Sequence, residues 1–236
     1  MKIDKVETYY DKVNSIKDYS QQGLLGFARQ KLLRFEEKRD ETVLKLIPTK
    51  INKFLDVGCK YGKLLVNSSD KFKEGWGVDL SEVALLDAKK SVMINKLGKK
   101  IKFKKANLED GLPFKDNYFD LVTCLAVVEH LFDPQKAILE MGRVIKRGGY
   151  LIVEVPNLAW LPRRMTLFFG GRPRTSFAPG WDGGHLSYFT FGSLRKLLED
   201  SGFKIVKIGC SGVFAKLRYI HPPLLSGNII FLAKKK

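Results

Sequence analysis

The sequence predicts an α/β fold, a doubly wound and mostly parallel seven-stranded sheet with helices on both faces and an antiparallel pair of C-terminal strands. Short apolar runs alternate with amphipathic helical segments between residues 50 and 155, and this alternation is typical of a parallel sheet covered on both faces. The last two apolar runs are separated only by a loop. Without a crossover helix between them, antiparallel pairing is favoured.

The first elements follow from apolar spacing and its interruptions. Residues 24–47 place apolar side chains close to a helical period before Pro48, so we predict one long helix or two. The run "INKFLDVG" then indicates a buried strand, and "GKLLVNSSD" indicates the helix after it.

The strand and helix unit is repeated along the next hundred residues. "EGWGVDLS", "KIKFKKANL", "YFDLVTCLAVVEHL" and "GYLIVEVPN" predict the second to fifth strands. "SEVALLDAKKSVMINKL" predicts a helix with Ser81 as N-cap, and "PQKAILEMGRVIKRGG" predicts a helix that begins near proline and ends before glycine.

Residues 157–189 break this rhythm, because they are rich in glycine, proline, aromatic residues and arginine. "TFGSLRKLLEDSGF" then predicts a helix with Thr190 as N-cap and Gly202 at its end. "FKIVKIG" and "NIIFLAKK" predict the last two strands.

Composition places the chain among ordinary globular proteins. Its 236 residues fit one domain, and 44% hydrophobic with 28% charged residues is enough apolar content for a core. Three scattered cysteines predict no disulfide framework. The polar N-terminus resembles no signal peptide, and no apolar run approaches the roughly 18 residues of a membrane span. We therefore expect a cytoplasmic protein.

The formal net charge of +17 is the strongest departure from an average composition. It would attract any anionic partner, whether nucleic acid, membrane surface or phosphorylated metabolite. A lysine-rich surface that serves only solubility explains it equally well. The charge alone therefore selects no function.

The candidate binding site is "DVGCKYG", because open parallel sheets bind ligands beyond the carboxyl ends of their strands, at the point where the strand order reverses. Gly58 and Gly62 allow a sharp turn and the approach of a ligand to bare backbone. The helix that begins near Gly62 offers amide donors to an anionic group, and Asp56 can accept hydrogen bonds.

Two further strand ends supply polar side chains. Asp79 follows Gly58 by 21 residues and can accept from both hydroxyls of a ribose. Asn107, after the third strand, has the donor and acceptor needed for an adenine edge. The dinucleotide fingerprint G-x-G-x-x-G is absent, since Lys60 and Lys63 occupy its second and third glycine positions, which disfavours nicotinamide cofactors.

Five stretches together resemble a known family: "LDVGCKYG", "GVDLS", "ANLEDGLPFKDNYFDLVTCLAVVEHLFDP", "RVIKRGGYLIVEVPN" and "GHLSYFTFGSLRKLLEDSGF". In this order they are similar to class I S-adenosylmethionine-dependent methyltransferases, particularly the small-molecule branch similar to ubiquinone-biosynthesis methyltransferases. The resemblance implies a Rossmann-like methyltransferase domain over residues 49–236. Within it, the composition of residues 157–189 favours an insertion that forms a substrate-side lid. Residues 1–48 would form an N-terminal helical segment that covers the cofactor site.

The resemblance also implies the residues that bind S-adenosylmethionine. They are Asp56, Gly58, Cys59 and Gly62 around the methionine moiety, Asp79 and Leu80 at the ribose, Asn107 and Leu108 near adenine, and Leu125 beside the sulfonium. The alternative for Asp56 and Asp79 is strand-end capping or surface ion pairing. Lys60 stands where the family usually has glycine, and we expect it to be accommodated with an ordinary backbone conformation and its side chain in solvent.

The expected reaction is methyl transfer by in-line displacement. Its leaving group is already activated, so the protein supplies alignment and water exclusion, and we predict no metal ligands. A general base is needed only for an acceptor that arrives protonated, and His130 or His185 is the candidate. Either histidine could instead serve only to anchor its loop.

The predicted acceptor is a small molecule, including amphiphilic, lipid-linked or anionic ones. Arg163, Arg164, Arg172 and Arg174 are available for a carboxylate or phosphate, unless they face water over a packed lid. The alternatives are an RNA methyltransferase, favoured by the charge but disfavoured because no RNA-binding module is present, and a catalytically silent S-adenosylmethionine-binding protein. The sequence predicts no oligomeric state.

Overall fold

The computed structural model describes residues 35–176, 178, 181–212 and 217–236. The helices are α1 Phe35–Leu46, α2 Lys63–Asn67, α3 Glu82–Ile94, α4 Pro134–Val144, α5 Leu161–Phe168, α6 Phe191–Asp200 and α7 Pro222–Leu225. The strands are β1 Ile51–Val57, β2 Phe72–Asp79, β3 Ile101–Lys105, β4 Phe119–Leu125, β5 Ile145–Pro156, β6 Phe203–Ser211 and β7 Asn228–Lys235. Residues 1–34, the greater part of the predicted N-terminal segment, lie outside the described residues.

The seven strands form one sheet in the order β3-β2-β1-β4-β5-β7-β6. The first five in this order are parallel, and β7 is antiparallel to both β5 and β6. The predicted fold class is therefore confirmed. The strand order reverses between β1 and β4, which makes the carboxyl ends of these two strands the expected place for a ligand.

Both faces of the sheet are buried, as successive side chains of one strand show. In β1, Phe54 belongs to the apolar cluster that contains Val43 of α1, whereas the next residue, Leu55, belongs to the cluster that contains Met141 of α4 and Leu194 of α6. Side chains alternate between the two sides of a strand. Helices therefore cover both faces, as the near-continuous apolar runs predicted.

The two predicted N-caps are confirmed. The Ser81 hydroxyl accepts a hydrogen bond from the Ala84 amide at the start of α3. Thr190 and Ser193 form a reciprocal capping box at the start of α6. Both caps satisfy amide groups that a helix leaves without an internal partner.

The predicted end of α4 is wrong. The helix ends at Val144, and residues 145–149 belong to β5, with a bulge opposite β4. Gly148 has a φ of 73° within this bulge, and Lys146 pairs with Asp120 of β4 at 2.6 Å. Gly148 and Gly149, which resemble a helix C-cap in the sequence, therefore lie in the bulged part of β5 instead.

The insertion, residues 157–189, leaves and rejoins the sheet at one place. Asn157 and Phe189 form an isolated parallel bridge, and the Leu158 amide donates to the Phe189 carbonyl at 2.8 Å. Helix α5 lies within the insertion and buries none of its side chains fully. Among the described residues, no helix is long and apolar enough to cross a membrane.

Candidate functional site

The turn after β1 depends on a glycine at position 58. Gly58 has a φ of 71°, and a Cβ there would lie 2.3 Å from Cγ2 of Val127. The amides of Gly58 and Cys59 both donate to the carbonyl of Val78 in β2, at 2.8 and 3.0 Å. Gly62 closes the turn with a φ of 70° as the N-cap of α2. The chain is thereby folded tightly over the ends of β1 and β2.

Lys60 occupies the centre of this turn in a conformation that the sequence did not predict. Its φ is 46°, in the left-handed region, so the expectation of an ordinary backbone is wrong. The expectation of an exposed side chain is confirmed, and its Nζ lies 5.0 Å from the Tyr61 ring centroid. The left-handed turn directs the Lys60 amide to Oδ2 of Asp79 at 2.8 Å.

Asp79 is fixed by one backbone amide on each carboxylate oxygen. Lys60 donates to Oδ2 and Ser81 donates to Oδ1 at 2.9 Å. Burial raises the pKa of Asp79, while these amides and the Lys60 charge oppose the rise. Each oxygen has a second lone pair. The carboxylate can therefore accept from two neighbouring hydroxyls without losing its own hydrogen bonds.

Asp56 lies beside Asp79 but is almost fully buried, with 4% of its surface exposed. Thr123, its register partner on β4, donates to Oδ1 at 2.6 Å. Burial raises the pKa of Asp56 to about 7; the Thr123 hydrogen bond opposes the rise and the charge of Asp79 adds to it. The two aspartates are therefore electrostatically coupled at the switch point of the sheet.

The Asn107 side chain makes local hydrogen bonds. Its Oδ1 accepts from the Glu109 amide at 3.1 Å, and its Nδ2 donates to Asp110 at 3.1 Å. The remaining predicted cofactor residues differ in accessibility: Cys59 and Leu108 are buried, and Leu80 and Leu125 are half-buried. Their predicted contacts with a cofactor stay predictions.

Sequence reasoning missed two charged residues next to this site. Glu154 of β5 is 1% exposed and lies 3.9 Å from the Arg39 guanidinium of α1. Burial raises the pKa of both Asp56 and Glu129, and the charge of Arg39 partly opposes this rise. The sequence did contain an indication of Glu154, because a glutamate inside the apolar run "LIVEVP" is unusual for a buried strand. For Arg39 no local signal existed.

Glu129 adds another buried carboxylate to the ends of the central strands. It follows β4 in the short turn Val128–His130 and is 1% exposed. Burial, and then the charge of Glu154, raise the pKa of Glu129 well above its ordinary value. The interior at this edge of the sheet is thus acidic, although the whole chain is strongly basic.

The structure brings the two predicted catalytic histidines together. The ring centroids of His130 and His185 are 4.6 Å apart. The amides of Leu186 and Ser187 both donate to the Glu129 carbonyl, at 2.8 and 2.9 Å. These hydrogen bonds hold the end of the insertion against the turn that follows β4.

A hydrogen-bonded chain within the insertion orients His185. The Thr175 hydroxyl donates to Oδ2 of Asp182 at 2.6 Å and lies 2.7 Å from Nδ1 of His185. Burial, and then the charge of His130, lower the pKa of His185 to about 4. Burial also lowers the pKa of His130. Burial thus favours the neutral form of both imidazoles.

Arg163 was predicted to be available for an anionic acceptor, but its guanidinium is hydrogen-bonded within the protein. Its guanidinium donates to the carbonyls of Asn157, Arg174 and Gly227 at 2.6 to 3.0 Å. Arg164 is exposed, with its Nε bonded to the Ala159 carbonyl. Arg172 is exposed and stacks on Trp181 at 3.9 Å. Arg163 is therefore a structural residue of the insertion.

Comparison with known proteins shows similarity to methyltransferases, both in a domain model and in curated relatives. Residues 55–153 match a methyltransferase domain. The ubiquinone biosynthesis O-methyltransferase of Nitrosomonas europaea is 31% identical over 103 residues, which cover 44% of this chain and 43% of that protein. The chain thus spans less than half the length of this curated relative.

Two solved structures match over nearly the whole chain. Magnesium protoporphyrin IX methyltransferase from Synechocystis PCC 6803, with bound SAH, has a TM-score of 0.70 at 19% identity and covers 100% of both chains. The [4+2]-cyclase SpnF has a TM-score of 0.65 at 19% identity, covering 98% of this chain and 94% of that chain. At such identities the likeness shows the fold alone.

The matched domain, the relative's sequence and the strand-end site agree with one another. Residues 55–153 are therefore a methyltransferase domain, and the chain is similar to class I S-adenosylmethionine-dependent methyltransferases.

Proposed function

We propose that this protein transfers the methyl group of S-adenosylmethionine to a small-molecule acceptor by in-line displacement. The observation that supports this most directly is the pair Asp56 and Asp79, coupled across the ends of β1 and β2 around a turn that requires glycine at position 58. Ligands of open parallel sheets bind at this switch point.

The residues present fit S-adenosylmethionine. Asp79 keeps a free lone pair on each oxygen for the two ribose hydroxyls. Asp56 can accept from the amino group of the methionine moiety, and the acidic interior formed with Glu129 and Glu154 suits a positively charged group. When bound, this cofactor supplies an activated methyl group.

The chain's own part in the reaction is alignment and exclusion of water. The insertion is hydrogen-bonded to the Glu129 carbonyl through Leu186 and Ser187, and so it covers the end of β4. We place the acceptor between this cover and the cofactor, beside His130 and His185. A neutral imidazole there can accept the proton of a hydroxyl acceptor.

We further propose an amphiphilic acceptor with an anionic group. The insertion exposes large apolar side chains, with Phe168, Phe169 and Trp181 each 74 to 79% exposed. Arg164, Arg172 and Arg174 are exposed in the same insertion. Apolar surface next to guanidinium groups suits a molecule with an apolar body and a carboxylate or phosphate.

Calorimetry with S-adenosylmethionine tests the binding half of the proposal. Asp79→Asn should weaken binding by at least tenfold, because a charge-assisted pair of hydrogen bonds is lost. Asp70→Asn, an exposed aspartate on the turn before β2, is the matched control and should bind like wild type. No heat with wild-type protein, or equal affinity in both variants, would contradict the proposal.

Release of S-adenosylhomocysteine tests the transfer half. Acceptors should be compared in pairs that share an apolar body and differ only in the anionic group, together with RNA. We expect turnover with the anionic member of a pair. Cofactor binding without turnover on any acceptor would favour a silent binding protein, and turnover on RNA alone would favour an RNA methyltransferase.

A further inference from the structure

Three potential metal ligands converge near the end of β4 although they are distant in sequence. Glu129 and His130 belong to the turn Val128–His130, whereas His185 follows the turn Trp181–Gly184 of the insertion. One ligand atom from each side chain lies within 4.8 Å of those of the other two. Oε1 of Glu129 and Nε2 of His185 are 3.9 Å apart.

These separations are close to those of a metal centre. Two ligands that each lie about 2.0 to 2.2 Å from one ion stand roughly 3 to 4 Å apart. Separations of up to 4.8 Å would have to shorten by about 1 to 2 Å to bring all three atoms to bonding distance. Rotation about the side-chain torsions of the glutamate and the two histidines would supply this movement.

Glu129 is buried without a hydrogen bond to its carboxylate. It is 1% exposed, and neither of its carboxylate oxygens has a hydrogen-bond partner among the described residues. A buried carboxylate without hydrogen bonds or a cation costs several kcal/mol. A cation or a hydrogen-bond donor bound to Glu129 would therefore stabilise its buried carboxylate.

One ring nitrogen of each histidine contacts an oxygen atom of the insertion. The one proton of the Thr175 hydroxyl goes to Asp182, so its oxygen accepts from Nδ1 of His185, and the lone pair of that ring is on Nε2. Nδ1 of His130 lies 3.2 Å from the Gly184 carbonyl, which can only accept. Hydrogen bonds of this kind fix the tautomer of metal-binding histidines.

We propose that Glu129, His130 and His185 bind a divalent first-row transition-metal ion through one carboxylate oxygen and two imidazole nitrogens. Two imidazoles with one carboxylate favour zinc, iron, cobalt or manganese over magnesium and calcium, which prefer all-oxygen ligands. Three protein ligands leave coordination positions open. Because a metal-bound imidazole nitrogen has no lone pair left for a proton, the ion would take the place of the histidine base and would favour loss of the proton from an acceptor oxygen at an open position. That use rests on the proposed function, whereas metal binding itself does not.

Titration with Co²⁺ tests the site in the full chain, without an affinity tag and after treatment with a chelator. We expect one ion per chain, with visible d–d absorption and displacement by Zn²⁺. Glu129→Gln and His185→Gln should each weaken binding by more than about 100-fold, and Thr175→Val, which removes an orienting partner, by about 10- to 100-fold. His221→Gln is the matched control, since His221 is exposed at the start of α7, and should bind like wild type.

Three results would overturn the proposal: no Co²⁺ binding, a thiolate charge-transfer band from the buried cysteines, or unchanged affinity in Glu129→Gln and His185→Gln. If His185→Gln fails to fold, the Co²⁺ affinities of Glu129→Gln and Thr175→Val still test whether these side chains form the metal site. Asp79→Asn separates the two proposals, because it should lose S-adenosylmethionine and retain Co²⁺. Failure of wild-type protein to bind the cofactor would refute the proposed function and leave the metal result standing.

Discussion

At the scale of single residues, the site depends on backbone direction as much as on side chains. Lys60 adopts a left-handed conformation that costs a non-glycine residue about 1 to 2 kcal/mol. This conformation directs its amide to Asp79. Lysine is therefore accommodated at this position without loss of the turn, but its backbone conformation is strained.

Substitution of Lys60 by glycine tests that strain. Lys60→Gly should raise the free energy of unfolding by up to about 1 kcal/mol, because the unfavourable Cβ is removed while the amide remains. Denaturant unfolding measures the change. Lys60→Ala is the control, since it removes the charge but keeps the Cβ and should give no gain. Equal gains in both variants would show that the charge, not the conformation, is unfavourable.

Asp56 predicts a pH dependence of stability. Its pKa is raised from 3.8 to about 7, so the folded state holds a proton that the unfolded state releases. The stabilisation is complete below about pH 3.8 and is lost as the pH rises through about 7, by on the order of 4 kcal/mol. Asp56→Asn should remove this loss in the ligand-free protein.

Urea unfolding at pH 5 and pH 8 measures the contribution of Asp56 to the pH dependence of stability, with Asp70→Asn as control. The decrease in the free energy of unfolding between these values should be about 2 to 3 kcal/mol smaller in Asp56→Asn than in wild type or in the control. An unchanged decrease would show that Asp56 ionises freely in the folded state.

At the scale of elements, local signals predicted the strands and two helix starts. Apolar runs flanked by glycine give strands because both faces of this sheet are buried, and Ser81 and Thr190 are caps that act within four residues of themselves. The start of β5 was missed because its bulge depends on pairing with β4, which local sequence does not report.

The convergence at the candidate site was predictable only in part. Asp56 and Asp79 follow adjacent strands, so topology alone brings them together. His185 reaches Glu129 only through backbone hydrogen bonds of the insertion, and no periodicity reports those. For the same reason, Arg163 could not be recognised as structural, since its partner carbonyl at Gly227 is far away in sequence.

Arg163 provides the test at this scale. Arg163→Met keeps the apolar stem but leaves half-buried carbonyls without a donor, so it should lower the free energy of unfolding by about 2 kcal/mol. Arg164→Met is the control, because Arg164 is exposed and bonds one carbonyl; its cost should stay below about 1 kcal/mol. Limited proteolysis should cleave residues 157–189 faster in Arg163→Met alone. Similar behaviour of both variants would contradict the assignment.

At the scale of the whole molecule, the surface is strongly basic while the interior beside the candidate site is rich in carboxyl groups. The chain has a net charge of +17, yet Asp56, Glu129 and Glu154 are buried at the ends of the central strands. The surface field acts on approaching anions and is screened by salt, whereas buried charges are screened much less. The basic composition therefore says little about the ligand of the site.

This separation predicts different salt responses. Between 50 and 200 mM NaCl, affinity for S-adenosylmethionine should change by less than about threefold, because its partners are buried. Binding of RNA to the surface should fall steeply, by about 10³-fold if six or more phosphates are neutralised. Calorimetry and a filter-binding titration measure the two. A steep decrease in cofactor affinity with salt would indicate that the cofactor binds at the surface. RNA that stays bound and is methylated at 200 mM NaCl would favour an RNA substrate.

The bridge between Asn157 and Phe189 has an evolutionary consequence. Since the intervening segment departs from and returns to a single point, its length and composition can drift, or be exchanged between homologues, while the strand register behind it stays intact. Selection on acceptor preference can thus proceed in this segment independently of selection on the donor pocket, and a transplanted segment offers a direct route to altered specificity.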